Sequence, residues 1–143
     1  MDLSSIFVDA PEYVILRMSP EFPKWRKGQD VDILVRDFNE WIEHLQQFIE
    51  VNYYEYEPQH YQADYYENGE FVFKFDFYER YISKEFTDTV FTTFQSVFYK
   101  DYCFCIPNRL HDHISKCYEC VTFKKKQHEF FKRYKKDLDR FMI

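Results

Sequence analysis

Three short stretches of the chain have the apolar spacing of β-strands. Residues 12–17 contain the continuous run Val14-Ile15-Leu16, which is typical of a buried strand. Residues 30–35 and 70–78 alternate apolar and polar side chains, and alternation places every second residue of a strand on the same face. We therefore expect three strands, two of which carry polar groups on the face opposite the core.

Four longer stretches repeat apolar residues at the three- and four-residue spacing of an amphipathic helix. The predicted helices cover about 37–51, 84–99, 108–123 and 126–141. The first has the strongest pattern, and Asn108 is a residue type that caps the start of a helix well. The second half of the chain is therefore predicted to be mostly helical.

The remaining segments are predicted to connect these elements. Residues 1–11 favour a short helix or lead-in, and residues 19–29, with two prolines and a glycine, a loop. Residues 52–66 are rich in tyrosine and are predicted to be extended. Asn68-Gly69 suits a tight turn with positive φ at both residues, which would join that segment to the next strand as a hairpin. Residues 102–106 form a short apolar segment.

These elements predict an α+β fold, with a small mixed β-sheet, helices packed on it and a helical C-terminal part. No repeat or linker divides the 143 residues, so we expect a single domain over 1–143, with the sheet within 12–78 and mostly helices over 84–143. With 17 phenylalanines and two glycines, Phe must fill much of the core. The chain shows no secretory signal and no apolar run long enough to cross a bilayer, so we expect a cytoplasmic protein without a membrane partner.

The net charge of −6 is unevenly distributed along the chain. Residues 108–143 hold ten Lys and Arg against five Asp and Glu, and the first 107 residues are strongly acidic. The basic half either presents solvated helix faces or forms a surface that binds phosphate groups. The overall acidity argues against a dedicated nucleic-acid binder, because neutralisation of phosphates dominates such affinity. The sequence does not indicate an oligomeric state.

Two carboxylates lie two residues apart at the start of the strand 30–35. Asp30 and Asp32 would share one face of this strand, while Val31 and Ile33 point into the core. Like charges on one face repel, so a cation that both can hold would stabilise them. Mg²⁺, which prefers oxygen ligands, suits this pair. The alternative is a solvated strand start or a cap at the end of the preceding loop.

A third acid, Asp76, is predicted on the polar face of the strand 70–78. The phenylalanines at 71, 73, 75 and 77 would be buried on one face, which leaves Asp76 and Lys74 together on the other. In a cluster of three acids we expect at least one carboxyl to have a raised pKa. An isolated acid on a half-exposed strand is the alternative for Asp76.

Together these residues resemble the signature of the DNA polymerase β-like nucleotidyltransferase superfamily, and of a small branch of nucleotidyltransferase-like proteins. In that family a strand ends in Gly-Ser or Gly-Gly, a short loop follows, and the next strand carries Asp-x-Asp or Asp-x-Glu. Here the strand ends in Met18-Ser19, a ten-residue loop follows, and Asp30-Val31-Asp32 begins the next strand. A third carboxylate on a later strand completes the family pattern, and Asp76 matches it.

The resemblance implies transfer of a nucleoside monophosphate from an NTP to a small-molecule acceptor such as a sugar or polyol phosphate. Asp30, Asp32 and Asp76 would be the catalytic and metal-binding acids for two Mg²⁺ ions, or Mn²⁺. The residues expected to bind the nucleotide are Arg17, Ser19 and Lys74. Ser19 equally suits a cap of the loop at Pro20, and Arg17 equally suits an ion pair with a neighbouring carboxylate.

The family's glycine is replaced by Met18, and glycine is what lets the backbone approach a triphosphate. This departure favours an alternative function, a catalytically degenerate fold that serves as a binding or regulatory module, for example as a toxin–antitoxin-like partner. Retention of all three acids favours activity. A Phe-rich interaction protein without this chemistry is a third interpretation.

A group of cysteines and histidines has spacings that zinc sites also use. The group is Cys103, Cys105, His111, His113, Cys117 and Cys120. The predicted helix 108–123 uses the same face for its apolar residues, and reduced, buried cysteine packs as a small hydrophobe. We therefore favour a structural role for these thiols over zinc binding or a disulfide.

Overall fold

The computed structural model describes residues 2–24, 27–123 and 131–142. It has the predicted α+β fold. The strands are β1 (Tyr13–Leu16), β2 (Asp30–Val35), β3 (Asn52–Glu57), β4 (His60–Glu67), β5 (Glu70–Tyr78), β6 (Gln95–Tyr99) and β7 (Tyr102–Ile106). The helices are α1 (Phe38–Leu45), α2 (Lys84–Thr93), α3 (Arg109–Phe123) and α4 (Phe131–Phe141), after a 3-10 turn at Ser4–Phe7.

Five strands form one mixed sheet in the order β1-β2-β5-β4-β3, and β6 pairs with β7 in a separate hairpin. The β2–β5 pair is parallel, and the other neighbours in the large sheet are antiparallel. Gly28 ties the start of β2 to β5, since its N–H donates to Val72 O at 2.7 Å. Its φ of +84° is one that glycine adopts without strain.

The phenylalanine face of the sheet packs into the larger core. Phe73, Phe75 and Phe77 are 1%, 0% and 0% exposed, which confirms their predicted inward orientation. The same prediction is wrong for Phe71, which is 38% exposed and lies opposite the register irregularity at Tyr65 and Tyr66 near the end of the sheet. Trp41 of α1 and Phe104 of β7 belong to the same buried cluster. The helix α1 begins at its Asp37 cap, whose Oδ1 accepts from Glu40 N at 3.2 Å.

A second core lies on the opposite face of the sheet, over β1 and the end of β2. It joins Val14 and Leu34 of these strands to Val90 of α2, Ile114 of α3 and Leu138 of α4. On β5 these contacts reach the partly buried Tyr78, but among the described residues the core includes neither Asp76 of β5 nor Gln62 of β4 on the same face. Part of this face is therefore left for polar contacts.

The predicted helix over 84–99 is wrong beyond residue 93. Phe94 has the extended angles φ −63° and ψ 160°, and β6 follows and pairs with β7. Within β6 Phe98 is 77% exposed, while Val97 and Tyr99 pack against the larger core. The spacing of these residues is compatible with a helix, but Phe, Val and Tyr also favour strands. Pairing with β7 stabilises the strand.

Other element boundaries also differ from the sequence pattern. The helix predicted over 37–51 ends at Leu45, and the extended segment 52–66 is two strands joined by a turn in which Gln59 has φ +63°. The predicted Asn68-Gly69 turn is confirmed, with φ of +51° and +79°.

The helix predicted over 108–123 is confirmed as α3, and Asn108 Oδ1 accepts from His111 N at 2.9 Å as its cap. The last predicted helix is helical over Phe131–Phe141. Its residues 126–130 and the basic run 124–126 lie outside the described residues. Of the helices that the structure describes, none combines the length and the apolar character needed to cross a membrane.

Candidate functional site

The three predicted acids lie on the same face of adjacent strands. In the parallel β2–β5 pair Asp32 lies beside Asp76, and Asp30 lies beside Lys74. All four side chains line one cavity of about 460 Å³, together with Arg17. The alternation of β2 and β5 causes this arrangement, because both strands bury their other face in the larger core.

Arg17 reaches this face because the chain leaves its strand there. Leu16 is the register partner of Asp32, so a further residue of regular strand would point to the opposite face. Arg17 instead has φ +48°, in the left-handed region that costs a non-glycine residue roughly 1 kcal/mol or more. Its side chain is 13% exposed and lies beside the acids. We infer that the contacts of the guanidinium offset the backbone strain.

The guanidinium of Arg17 connects the sheet to α3. Its Nη2 donates to Asp32 Oδ2 at 2.9 Å, and its Nε lies 2.5 Å from Glu119 Oε2. Its Nη1 donates to Tyr81 Oη at 2.8 Å and to Ser115 Oγ at 2.5 Å. All three guanidinium nitrogens therefore have partners. Of the two roles predicted for Arg17, the structure has the ion pair with a neighbouring carboxylate.

Asp32 has the electrostatics of a crowded carboxylate. Burial raises its pKa, the Arg17 guanidinium opposes that rise, and the charge of Asp76 adds to it. The net direction is upward from the ordinary value of 3.8. The expected rise in pKa is therefore found, although burial contributes more to it than repulsion between acids. A neighbouring positive charge would favour the ionised form.

Asp76 is held by two side chains of β4. His60 Nε2 and Gln62 Nε2 both lie 2.8 Å from Asp76 Oδ1, and no hydrogen bond to its Oδ2 is found within the described ranges. Gln62 Oε1 in turn accepts from Tyr54 Oη at 2.6 Å. The His60 ring stacks on Tyr78, with centroids 4.1 Å apart. One oxygen of Asp76 is thus fixed by the sheet.

Ser19 lies apart from the acids. It lines a neighbouring cavity of about 560 Å³ with Met18, Arg109 and Lys116, and Arg17 lines both cavities. Ser19 Oγ accepts from Glu21 N at 3.2 Å, which is the loop-capping alternative. The structure therefore brings Arg17, Lys74 and the three acids together, and it places Ser19 next to them on the other side of Arg17.

Four residues of the site were not among the sequence predictions: His60, Gln62, Tyr81 and Glu119. Alternation along β4 would have indicated the first two, had the segment 52–66 been divided at Pro58. No pattern in the sequence indicates the other two, because Tyr81 follows β5 in a loop and Glu119 lies on α3.

The donor types fit a hard divalent cation, since carboxylates are the ligands that Mg²⁺ prefers. Asp32 keeps Oδ1 and Asp76 keeps Oδ2 without a hydrogen bond to any part of the chain that the structure describes. Within that part, no three His, Cys, Asp or Glu side chains are already grouped as a metal site. Asp32 is paired with Arg17, so binding of a cation by all three acids requires side-chain movement.

The cysteines do not gather at one place. Cys103 and Cys105 lie on β7, whereas Cys117 is buried in the second core. Burial raises the pKa of the Cys117 thiol, which is the behaviour of a packed cysteine. None of the four cysteines, all within the described residues, forms a disulfide.

Comparisons with family models, curated proteins and solved structures gave no match for this chain. The resemblance to nucleotidyltransferases therefore stays a prediction from the sequence pattern.

Proposed function

We propose that this protein is a metal-dependent nucleotidyltransferase, acting in the cytoplasm on a nucleoside triphosphate and a small-molecule acceptor. One observation carries the proposal. The Asp-x-Asp strand and the strand of the third acid are direct neighbours in the sheet. Asp32 lies beside Asp76, and Asp30 lies two residues earlier on the same face of β2. This is the arrangement that the family resemblance requires of the three carboxylates.

Each residue has a role in the proposed reaction. Asp30 and Asp32 would hold Mg²⁺ or Mn²⁺ ions with the triphosphate, and Asp76 would serve the acceptor side. Bound metal would neutralise phosphate charge and activate the acceptor oxygen. The acceptor oxygen bonds to the α-phosphorus, the bond to pyrophosphate breaks, and Asp76 takes the hydroxyl proton. Lys74 faces the same cavity and is suited to a phosphate oxygen.

The neighbouring cavity supports a phosphorylated acceptor such as a sugar or polyol phosphate. Arg109 and Lys116 contribute positive charge there, although Lys116 is paired with Asp112 at 2.9 Å. Ser19 would reach a phosphate from this side. A nucleic-acid acceptor is less favoured, because the chain carries a net charge of −6.

Calorimetry with each NTP, with and without Mg²⁺, tests the proposal. We expect one NTP to bind only with Mg²⁺. Asp30→Asn and Asp32→Asn should abolish that binding, and Asp76→Ala should spare much of it but abolish turnover. Asp64→Asn is the matched control, since Asp64 pairs with Lys74 in the sheet but does not line the cavity. Absence of NTP binding at any Mg²⁺ concentration would overturn the proposal.

A second candidate function is a degenerate nucleotidyltransferase fold that acts as a binding or regulatory module, as in a toxin–antitoxin-like pair. The observations that favour it are the Arg17–Asp32 ion pair and the packing of Met18 against the larger core. Met18→Gly distinguishes the two functions. Restored NTP binding in Met18→Gly would identify Met18 as the obstacle, whereas no binding in either protein would favour the binding module.

A further inference from the structure

Arg17 is shared between two carboxylates through different nitrogen atoms. Nη2 contacts Asp32, and Nε contacts Glu119 on α3. The contact with Glu119 therefore does not depend on the contact with Asp32. Nη1 is fixed separately by Tyr81 and Ser115, which are 5% and 0% exposed. Loss of the Asp32 contact alone would leave the guanidinium anchored and its charge paired.

We propose that Glu119 is a positioning residue for cation loading, which retains Arg17 when Asp32 binds a divalent cation. This inference rests on the proposed metal-dependent function. Asp32 cannot serve a metal fully while it neutralises Arg17. A buried guanidinium that lost all its carboxylate partners would be strongly disfavoured. Glu119 removes that penalty, because it keeps the positive charge paired.

The proposal predicts opposite effects for the two partners. Arg17 competes with the cation for Asp32, so its removal should tighten cation binding. Glu119 keeps the charge of Arg17 paired once Asp32 turns to the cation, so its removal should weaken cation binding. Loss of one negative charge near the site would also weaken binding, and a double-mutant cycle separates this general effect from one that acts through Arg17.

The test is Mn²⁺ binding to the full chain, measured by electron paramagnetic resonance, which reports bound metal without any turnover. The proteins are the wild type, Arg17→Met, Glu119→Gln and the double variant. We expect Arg17→Met to tighten binding at least about tenfold, the scale of one charged hydrogen bond. Glu119→Gln should weaken binding about tenfold in the wild type, and by less than about twofold when Arg17 is already replaced.

Lys74→Met is the matched control, because Lys74 is a cation that lines the same cavity but lies beside Asp30 in the sheet, whereas Arg17 contacts Asp32. In that background Glu119→Gln should keep its full effect. If Arg17→Met does not fold, Arg17→Gln takes its place, since it removes the positive charge but keeps a polar end group.

Equal weakening by Glu119→Gln with and without Arg17 would overturn this inference and leave the proposed function intact. Absence of Mn²⁺ binding in every protein would overturn both.

Discussion

The two faces of the five-stranded sheet are completed by different kinds of contact. On the phenylalanine face α1 and the β6–β7 hairpin cover Phe73, Phe75 and Phe77, which are almost fully buried. On the acidic face helices cover β1 and the end of β2, and Asp32 and Asp76 are covered by polar partners. The same strands therefore support an apolar core and a charged cavity.

The difference between the faces lies in how specific their contacts are. Apolar packing has no preferred direction, so a core tolerates several arrangements of similar volume. A buried carboxylate is costly unless a particular donor meets it. Asp76 is buried and Asp32 is half-buried, and each has such a donor: the β4 side chains for Asp76 and Arg17 for Asp32. We therefore expect the loss of stability on the acidic face to depend on which residue is replaced. On the phenylalanine face it should depend on the volume of side chain removed.

The largest expected effect tests the phenylalanine face. Phe75→Ala should lower the free energy of unfolding by about 3–5 kcal/mol, because it leaves a cavity at a side chain that is 0% exposed. Urea unfolding measures the loss. Phe71→Ala on the same strand is the control, since Phe71 is 38% exposed, and it should cost about 1 kcal/mol or less. Equal costs at the two positions would contradict a closed phenylalanine face.

Arg17→Met should have the next largest effect, on the acidic face. It removes the partner of two carboxylates, which we expect to lower the free energy of unfolding by about 2–3 kcal/mol, somewhat below the cost for fully buried pairs. Arg36→Met is the control, because Arg36 also pairs with two acids, Glu12 and Asp88, but is 41% exposed. Its cost should stay within about 1 kcal/mol. Chemical denaturation measures the free energy of unfolding of both variants. Similar losses would contradict a stabilising role for the ion pairs of Arg17.

Asp32→Asn should change how stability depends on pH. The pKa of Asp32 is raised in the folded state, so the folded protein holds this proton more tightly than the unfolded chain. Its contribution to stability is therefore present below the ordinary value of 3.8 and is lost as pH rises through the raised folded value. At pH 7 the Asn variant should equal or exceed the wild type, by no more than about 1 kcal/mol.

A series of unfolding curves across this pH range checks the prediction for Asp32. The difference in free energy of unfolding between Asp32→Asn and the wild type should become smaller as the pH falls. If Asp32→Asn is less stable than the wild type by more than about 1 kcal/mol at pH 7, the charge of Asp32 stabilises the fold and the prediction is wrong.

The smallest expected effect concerns the edge of the acidic face. Tyr54→Phe removes the hydrogen bond to Gln62 and should cost about 0.5 kcal/mol, at the low end for a hydrogen bond because Tyr54 is 44% exposed. Tyr53→Phe is the control, because Tyr53 is 50% exposed on the opposite face of β3. If thermal melts show equal shifts for both variants, the Gln62 bond does not support the site.

The acids of the site could be predicted because strand alternation is a local property. Asp30, Asp32 and Asp76 follow from residues two apart in β2 and β5, and the phenylalanines fix which face is buried. The direction of Arg17 could not be predicted, because its positive φ reverses the alternation of β1. Its partner Glu119 lies on α3, and only tertiary packing brings the two together.

The helix predicted over 84–99 shows the corresponding limit for the fold. Phe91, Phe94 and Phe98 have helical spacing, and helix and strand patterns overlap in such a short aromatic segment. Pairing with β7 resolves the ambiguity, and that pairing is not visible in a local window. Phe98 thus lies at 77% exposure, where the helical pattern would have placed it in the core.

The parallel pairing of β2 with β5 has a consequence for folding. The chain passes through α1, β3 and β4 between these two strands, so Asp32 and Asp76 meet only after a loop of considerable length has closed. Closing such a loop costs entropy before its contacts form, and non-local pairing slows folding. A fragment that ends before β5 keeps the Asp-x-Asp motif but has no third acid. The acidic cluster is therefore a property of the complete sheet, and its appearance reports that the long-range topology has formed.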